Sequence, residues 1–88
     1  MQTRTLIVAN PFGLHMRVAA RVVQLVQKYG ASVRLFSRDN RQADGGSVLD
    51  MMTLGVEQGS SVRVEVEGPE EIAVANGLAE LFSDGAGI

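Results

Sequence analysis

The polar and apolar positions change period several times along the chain. "TLIVAN" (5–10) is apolar and β-branched and runs into Asn10-Pro11, which predicts a strand ending in a turn. Val18, Val22, Leu25, Val26 and Tyr29 then recur at helical spacing, and Gly30 stands where a helix would stop. "SVRLFS" alternates, Val33 and Leu35 against Arg34 and Phe36, and "RDN" turns it into a short polar edge strand, "RQA" (41–43). After Asp44-Gly45-Gly46, "SVLDMMTLG" reads as a short helix: Ser47 caps it, Asp50 completes a weaker capping box, and Gly55 stops it. "SSVRVEVEG" alternates cleanly, with Val62, Val64 and Val66 on one side. Pro69-Glu70-Glu71 opens a last helix with Ile72, Ala75, Leu78, Ala79 and Phe82 as its apolar face, and "SDGAGI" frays out.

Strands with one apolar face need one covering layer, and all three amphipathic helices can supply it. The expected fold is an α/β (α+β) two-layer open-faced sandwich of order βαββαβα. A four-stranded antiparallel sheet is covered on one face by three helices, in a single domain spanning residues 1–88.

Charge is unevenly shared. Residues 1–43 carry seven Arg and Lys against one Asp, a net of +6; residues 44–88 carry one Arg against nine Asp and Glu, a net of −8. A basic face of this kind suits an acidic protein partner. Nucleic acid is a poorer match, because the net charge is −2 and only Phe12, Tyr29, Phe36 and Phe82 could stack on bases. No cysteine is present, so disulfides and thiolate metal sites are excluded, and one histidine excludes a His-rich cluster. No stretch approaches the roughly 20 apolar residues of a membrane span, and no signal peptide is evident, so a cytoplasmic location is expected.

The candidate chemistry centres on "NPFGLHMRVAA" (10–20), which holds the one histidine, His15. It stands where a turn meets a helix, beside N–H groups without helical partners and the positive end of the dipole. An anion on the ring would find those donors, and Arg17 lies close enough to add a charge-assisted bond to phosphate. A neutral imidazole is a competent nucleophile near neutral pH. No triad partner, carboxylate pair or phosphate-binding glycine loop accompanies it in sequence.

These residues carry a resemblance. "GLHMRVAA" resembles the active-site signature of the histidine-containing phosphocarrier family, HPr, of the bacterial phosphoenolpyruvate-dependent phosphotransferase system, usually G/P-L-H-A-R-P-A. "SVLDMMTLG" is similar to that family's regulatory-serine segment, commonly S-I-M-G-x-M-S-L-G. Three positions depart from the pattern: Met16 replaces alanine, Val18 replaces proline, and Asp50 replaces glycine. The resemblance implies that His15 accepts a phosphoryl group on Nδ1 from Enzyme I and that Arg17 supports the phosphate. It implies transfer onward to Enzyme IIA or IIB components of sugar uptake. Ser47 matches the serine modified by an HPr kinase/phosphorylase. A monomer is expected, and the resemblance implies no bound cofactor and no turnover of its own, magnesium belonging to the partner.

Helical spacing places Met51 and Leu54 towards the core. Val48, Leu49 and Met52 lie more outward, forming with Met16 an apolar docking patch beside His15. Two other readings share these residues. One is a nitrogen-type regulatory phosphocarrier with different downstream partners. The other is a regulatory binding module that acts through Ser47 and the patch with His15 idle.

Overall fold

The computed structural model describes residues 1–84. Their elements are β1 (Gln2–Ile7), α1 (Met16–Tyr29), β2 (Ser32–Phe36), β3 (Gln42–Asp44), α2 (Val48–Met52), β4 (Ser61–Glu67) and α3 (Glu71–Asp84), the expected order. The strands form one antiparallel sheet in the order β1-β4-β2-β3.

The register explains the two faces. Val64 of β4 lies between Arg4 of β1 and Leu35 of β2, and Val66 lies opposite Val33. Val33, Leu35, Val62, Val64 and Val66 are fully buried under the helices, as period-2 alternation requires. The core continues through Val18, Ala19 and Val22 of α1, Met51 of α2, and Val74, Ala75, Leu78 and Phe82 of α3. The opposite sheet face carries cross-strand neighbours such as Thr5, Arg63 and Phe36. There the Arg63 guanidinium lies 4.3 Å from the Phe36 ring centroid.

Several boundaries differ from expectation, each for a local reason. β1 starts at Gln2 because pairing with β4 supplies the ladder even where side chains are polar, and Arg4 reaches Asn76 Oδ1 on α3 at 3.1 Å. It ends at Ile7 because Val8 and Ala9 donate instead to the carbonyls of Ser60 and Phe82. β3 lies one residue later than "RQA". Pro69 stands in the turn before α3 rather than in its first turn, and the Glu70 carbonyl accepts the N–H of Val74. Ser83 and Asp84 belong to α3 rather than to a frayed tail, whose residues 85–88 lie outside the described residues.

The apolar face of α3 is also rotated. Val74 is fully buried and Ile72 is 59% exposed. Ile72 through Ala75 are all apolar, so the sequence pattern leaves the buried stripe open until β1 and α1 supply neighbours.

Candidate functional site

The site begins in the loop between β1 and α1. Asn10, buried although polar, accepts the N–H of Phe12 on Oδ1 at 2.8 Å, and its carbonyl accepts the N–H of Gly13 at 2.9 Å. Such an Asx turn replaces the ladder the strand has just left. Gly13 has φ +72°, and a Cβ there would stand 2.3 Å from the Val56 carbonyl oxygen. Glycine therefore meets two demands at once: a left-handed backbone and a close approach to the chain before β4. Leu14 then donates to Val56 O at 2.9 Å, and its buried side chain anchors the end of the loop.

His15 follows as the N-cap of α1, with φ −106° and ψ 179°. Its carbonyl accepts the N–H of Ala19, and its Nδ1 accepts the N–H of Arg17 at 3.2 Å. The imidazole thus does what a serine or aspartate side chain does at most helix starts. Because Nδ1 accepts, the proton of the neutral ring sits on Nε2. Nε2 is buried with no hydrogen-bond partner, an arrangement that costs about 1–3 kcal/mol. The Phe12 ring stands edge-to-face with the imidazole, centroids 5.9 Å apart and planes at 88°.

The electrostatics suit an incoming anion. The first turn of this 14-residue helix contains no acidic residue. Its positive end is uncompensated, and an anion there gains from both the dipole and the free amides. Arg17 is exposed, and its side chain forms no ion pair among the described residues. Val18 fills the position of the family's proline and is buried in the core, so the first turn is held by packing rather than by a ring.

Met16, Leu49 and Met52 are exposed to 66%, 81% and 37%, while Met51 and Leu54 are buried as helical spacing predicts. Val48 is half-buried against the core and contributes less to the surface than expected. Phe12, 73% exposed and beside the His15 ring, was not foreseen as a site residue; an aromatic residue in a turn just before a helix start was its only signal in the sequence.

Ser47 caps α2, its Oγ accepting the N–H of Asp50 at 3.1 Å. The second half of the expected capping box is absent. Asp50 Oδ2 accepts the N–H of Asp44 at 2.7 Å instead, and Asp44 Oδ1 accepts that of Gly46 at 2.8 Å. The aspartate side chain is one carbon shorter than the glutamate that usually closes the box, and the Gly45-Gly46 turn brings Asp44 within its reach. The helix ends at Met52, with Thr53 as its C-cap, three residues before Gly55. No group of three or more metal-ligating side chains occurs among the described residues, and no helix of theirs is long and apolar enough to cross a membrane.

Comparison with known proteins gives the same answer three ways. The family model described as "PTS HPr component phosphorylation site" matches residues 2–84. A phosphocarrier protein HPr of Xylella fastidiosa is 34% identical over 84 residues, covering 96% of this chain and 93% of its own. A phosphocarrier protein NPr of Klebsiella oxytoca is 29% identical over 82 residues, covering 93% and 91%. The crystal structure of an HPr from Thermoanaerobacter tengcongensis superposes with a TM-score of 0.89 at 32% identity, covering 100% of this chain and 98% of that one. With a lone imidazole capping an uncompensated helix start inside a fold matched from end to end, the chain belongs to the HPr family of the phosphotransferase system: it is a phosphocarrier, not an enzyme with turnover of its own.

Proposed function

We propose that His15 takes a phosphoryl group from phosphorylated Enzyme I on Nδ1 and passes it to an Enzyme IIA or IIB component of sugar uptake. The observation that carries this reading is the Nδ1 of His15 held over the N-terminus of α1 by the Arg17 N–H. A bond from Nδ1 to phosphorus forms as the donor's bond to phosphorus breaks, and the donor keeps the electron pair. The phosphoryl oxygens then take over the Arg17 N–H, and the exposed Arg17 guanidinium adds a charge-assisted bond. The helix dipole holds the dianion without a cofactor.

Met16, Leu49 and Met52, with Val48 at their edge, form the surface that meets both donor and acceptor. Methionine suits a patch serving several partners because its side chain adapts. Arg17, Arg21 and Lys28 on α1 would steer it to acidic partners in small, short-lived complexes of a cytoplasmic monomer. Ser47 is the candidate regulatory serine. A phosphate there would add up to about two negative charges beside the patch and weaken docking.

A relative named NPr matches nearly the same span as the HPr relative, so a nitrogen-type acceptor is the second reading. The test is incubation with phosphoenolpyruvate, magnesium and Enzyme I of either branch, read by mass spectrometry and phosphorus NMR. One acid-labile phosphoryl group is expected, absent in His15→Ala, and the branch whose Enzyme I delivers it names the acceptor class. An unmodified His15 with both enzymes overturns the carrier reading and leaves a binding module.

A further inference from the structure

We infer that Phe12 is a positioning residue: it holds the His15 ring so that Nε2 is turned into the protein and Nδ1 is the nitrogen that takes the phosphoryl group. The inference rests on the carrier reading only for its biological use, because the geometry concerns the ring itself.

An imidazole on a rotatable Cβ–Cγ bond offers two nucleophilic nitrogens, and a half-turn of the ring exchanges the edges it presents. One hydrogen bond, Arg17 N–H to Nδ1 at 3.2 Å, is a weak restraint against that turn. Nε2 pulls the other way, since it is buried without a partner and would gain water by swinging out. The ring therefore needs a second hold, and the aromatic neighbour placed against it is Phe12, at 5.9 Å and 88°. Edge-to-face geometry is directional, so it restrains orientation as well as position.

Phe12 is itself well seated. Its N–H is fixed to Asn10 Oδ1, the next residue takes φ +72° against Val56, and Asn10 is buried. A phenyl ring 73% exposed to solvent adds little to the core. Its rigid backbone mount and its contact with the imidazole point to the ring as its work.

The test uses the whole protein and phosphoramidate, a small donor that needs no docking. In that reaction the P–N bond to ammonia breaks as a P–N bond to imidazole forms, and the ammonia leaves with the proton. Phosphorus NMR and long-range ¹H–¹⁵N correlation read which ring nitrogen is modified and, before the reaction, which carries the proton. The native protein is expected to give the Nδ1 product from a ring protonated on Nε2. In Phe12→Ala the ring is expected to show mixed tautomers, and the share of Nε2 product should rise about two- to tenfold. Phe12→Tyr should restore the native pattern.

A purely structural or docking role would leave the isomer ratio unmoved. Phe12→Ala with the native tautomer and the native ratio overturns the inference, as does a native protein that reacts at Nε2 or at neither nitrogen. If Enzyme I fails on the native protein while the isomer ratio shifts in the variant, the carrier reading falls and the positioning role stands.

Discussion

Asp50 Oδ2 accepts the backbone N–H of Asp44 at 2.7 Å, while the backbone N–H of Asp50 itself goes to Ser47 Oγ at 3.1 Å. Two aspartates and a serine thus share the donors at the start of α2 in series, with no reciprocal pair. Ser47→Ala removes the cap and is expected to cost about 1 kcal/mol. Asp50→Ala gives the exposed Asp44 N–H back to water and loses only the net value of that bond, again about 1 kcal/mol. The two bonds share no acceptor, so urea unfolding of the double variant should show coupling below about 0.5 kcal/mol. A larger coupling would mean that Ser47 and Asp50 act as a capping box after all.

The same arrangement bears on Ser47 as a kinase target. The amides of Gly46 and Asp44 already serve carboxylates, so a phosphate on Ser47 would meet two like charges and few free donors. Phosphoserine placed at 47 should lower the melting temperature. Asp50→Asn should recover part of that loss, whereas a melting temperature unmoved by the phosphate would show that free amides suffice.

Gly13→Ala should act far beyond its size. The added carbon would press on the Val56 carbonyl at 2.3 Å, in a backbone region that alanine avoids. The expected loss exceeds ~1 kcal/mol. Because the loop that carries His15 must shift, phosphorylation by Enzyme I should slow in parallel. Stability measured by urea and a phosphorylation time course, taken on one sample, would separate the two effects.

Phe82→Ala removes the largest fully buried side chain, one whose backbone carbonyl also accepts the N–H of Ala9. Such truncations cost about 3–5 kcal/mol. At roughly 0.05–0.15 kcal/mol per residue, a domain of this length holds only about 4–13 kcal/mol in all. The variant should therefore be partly unfolded at 37 °C, which circular dichroism would detect. A native melting curve would mean that the core closes over the gap.

The β2–β3 turn gives a pH signature. The Ser37 hydroxyl bonded to Asp39 holds that carboxyl below its ordinary value, with Arg41 adding to the effect. A depressed folded-state value means that the stabilisation is complete above the unfolded-state pKa and is lost as pH falls through the folded one. Carbon NMR of the Asp39 carboxyl should show a low midpoint that returns towards the usual carboxylate range in Ser37→Ala. An unchanged midpoint would assign the shift to Arg41.

The alternations of β2 and β4 and the stripe of α1 were legible because each element has one polar and one apolar side, so period alone selects the face. The helix start at His15 was legible from the turn before it, but the chemistry was legible only through the resemblance of "GLHMRVAA" and "SVLDMMTLG" to the family's two motifs, because a lone histidine before a helix has many ordinary uses. Elsewhere the deciding information lay in the partner strand or the backbone. Ile72 and Val74 are equally apolar, and only packing on α1 and β1 selects the second. The choice of Asp50 for Asp44 over Ser47 depends on how the two glycines fold the chain back. Phe12 was unremarkable in sequence because its contact depends on a left-handed Gly13 that composition alone does not announce.

The sheet order β1-β4-β2-β3 places the strand made last between two made early. During synthesis β1 and β2 have no common neighbour until residues 61–67 emerge, and the His15 loop has no pedestal until Val56, Ser60 and Phe82 arrive to accept its amides. A chain released early would display both signature motifs and lack the frame that orients them. Pairing over so long a separation is slow to nucleate, so the sheet and its helices should fold together and late, only after β4 and α3 have emerged.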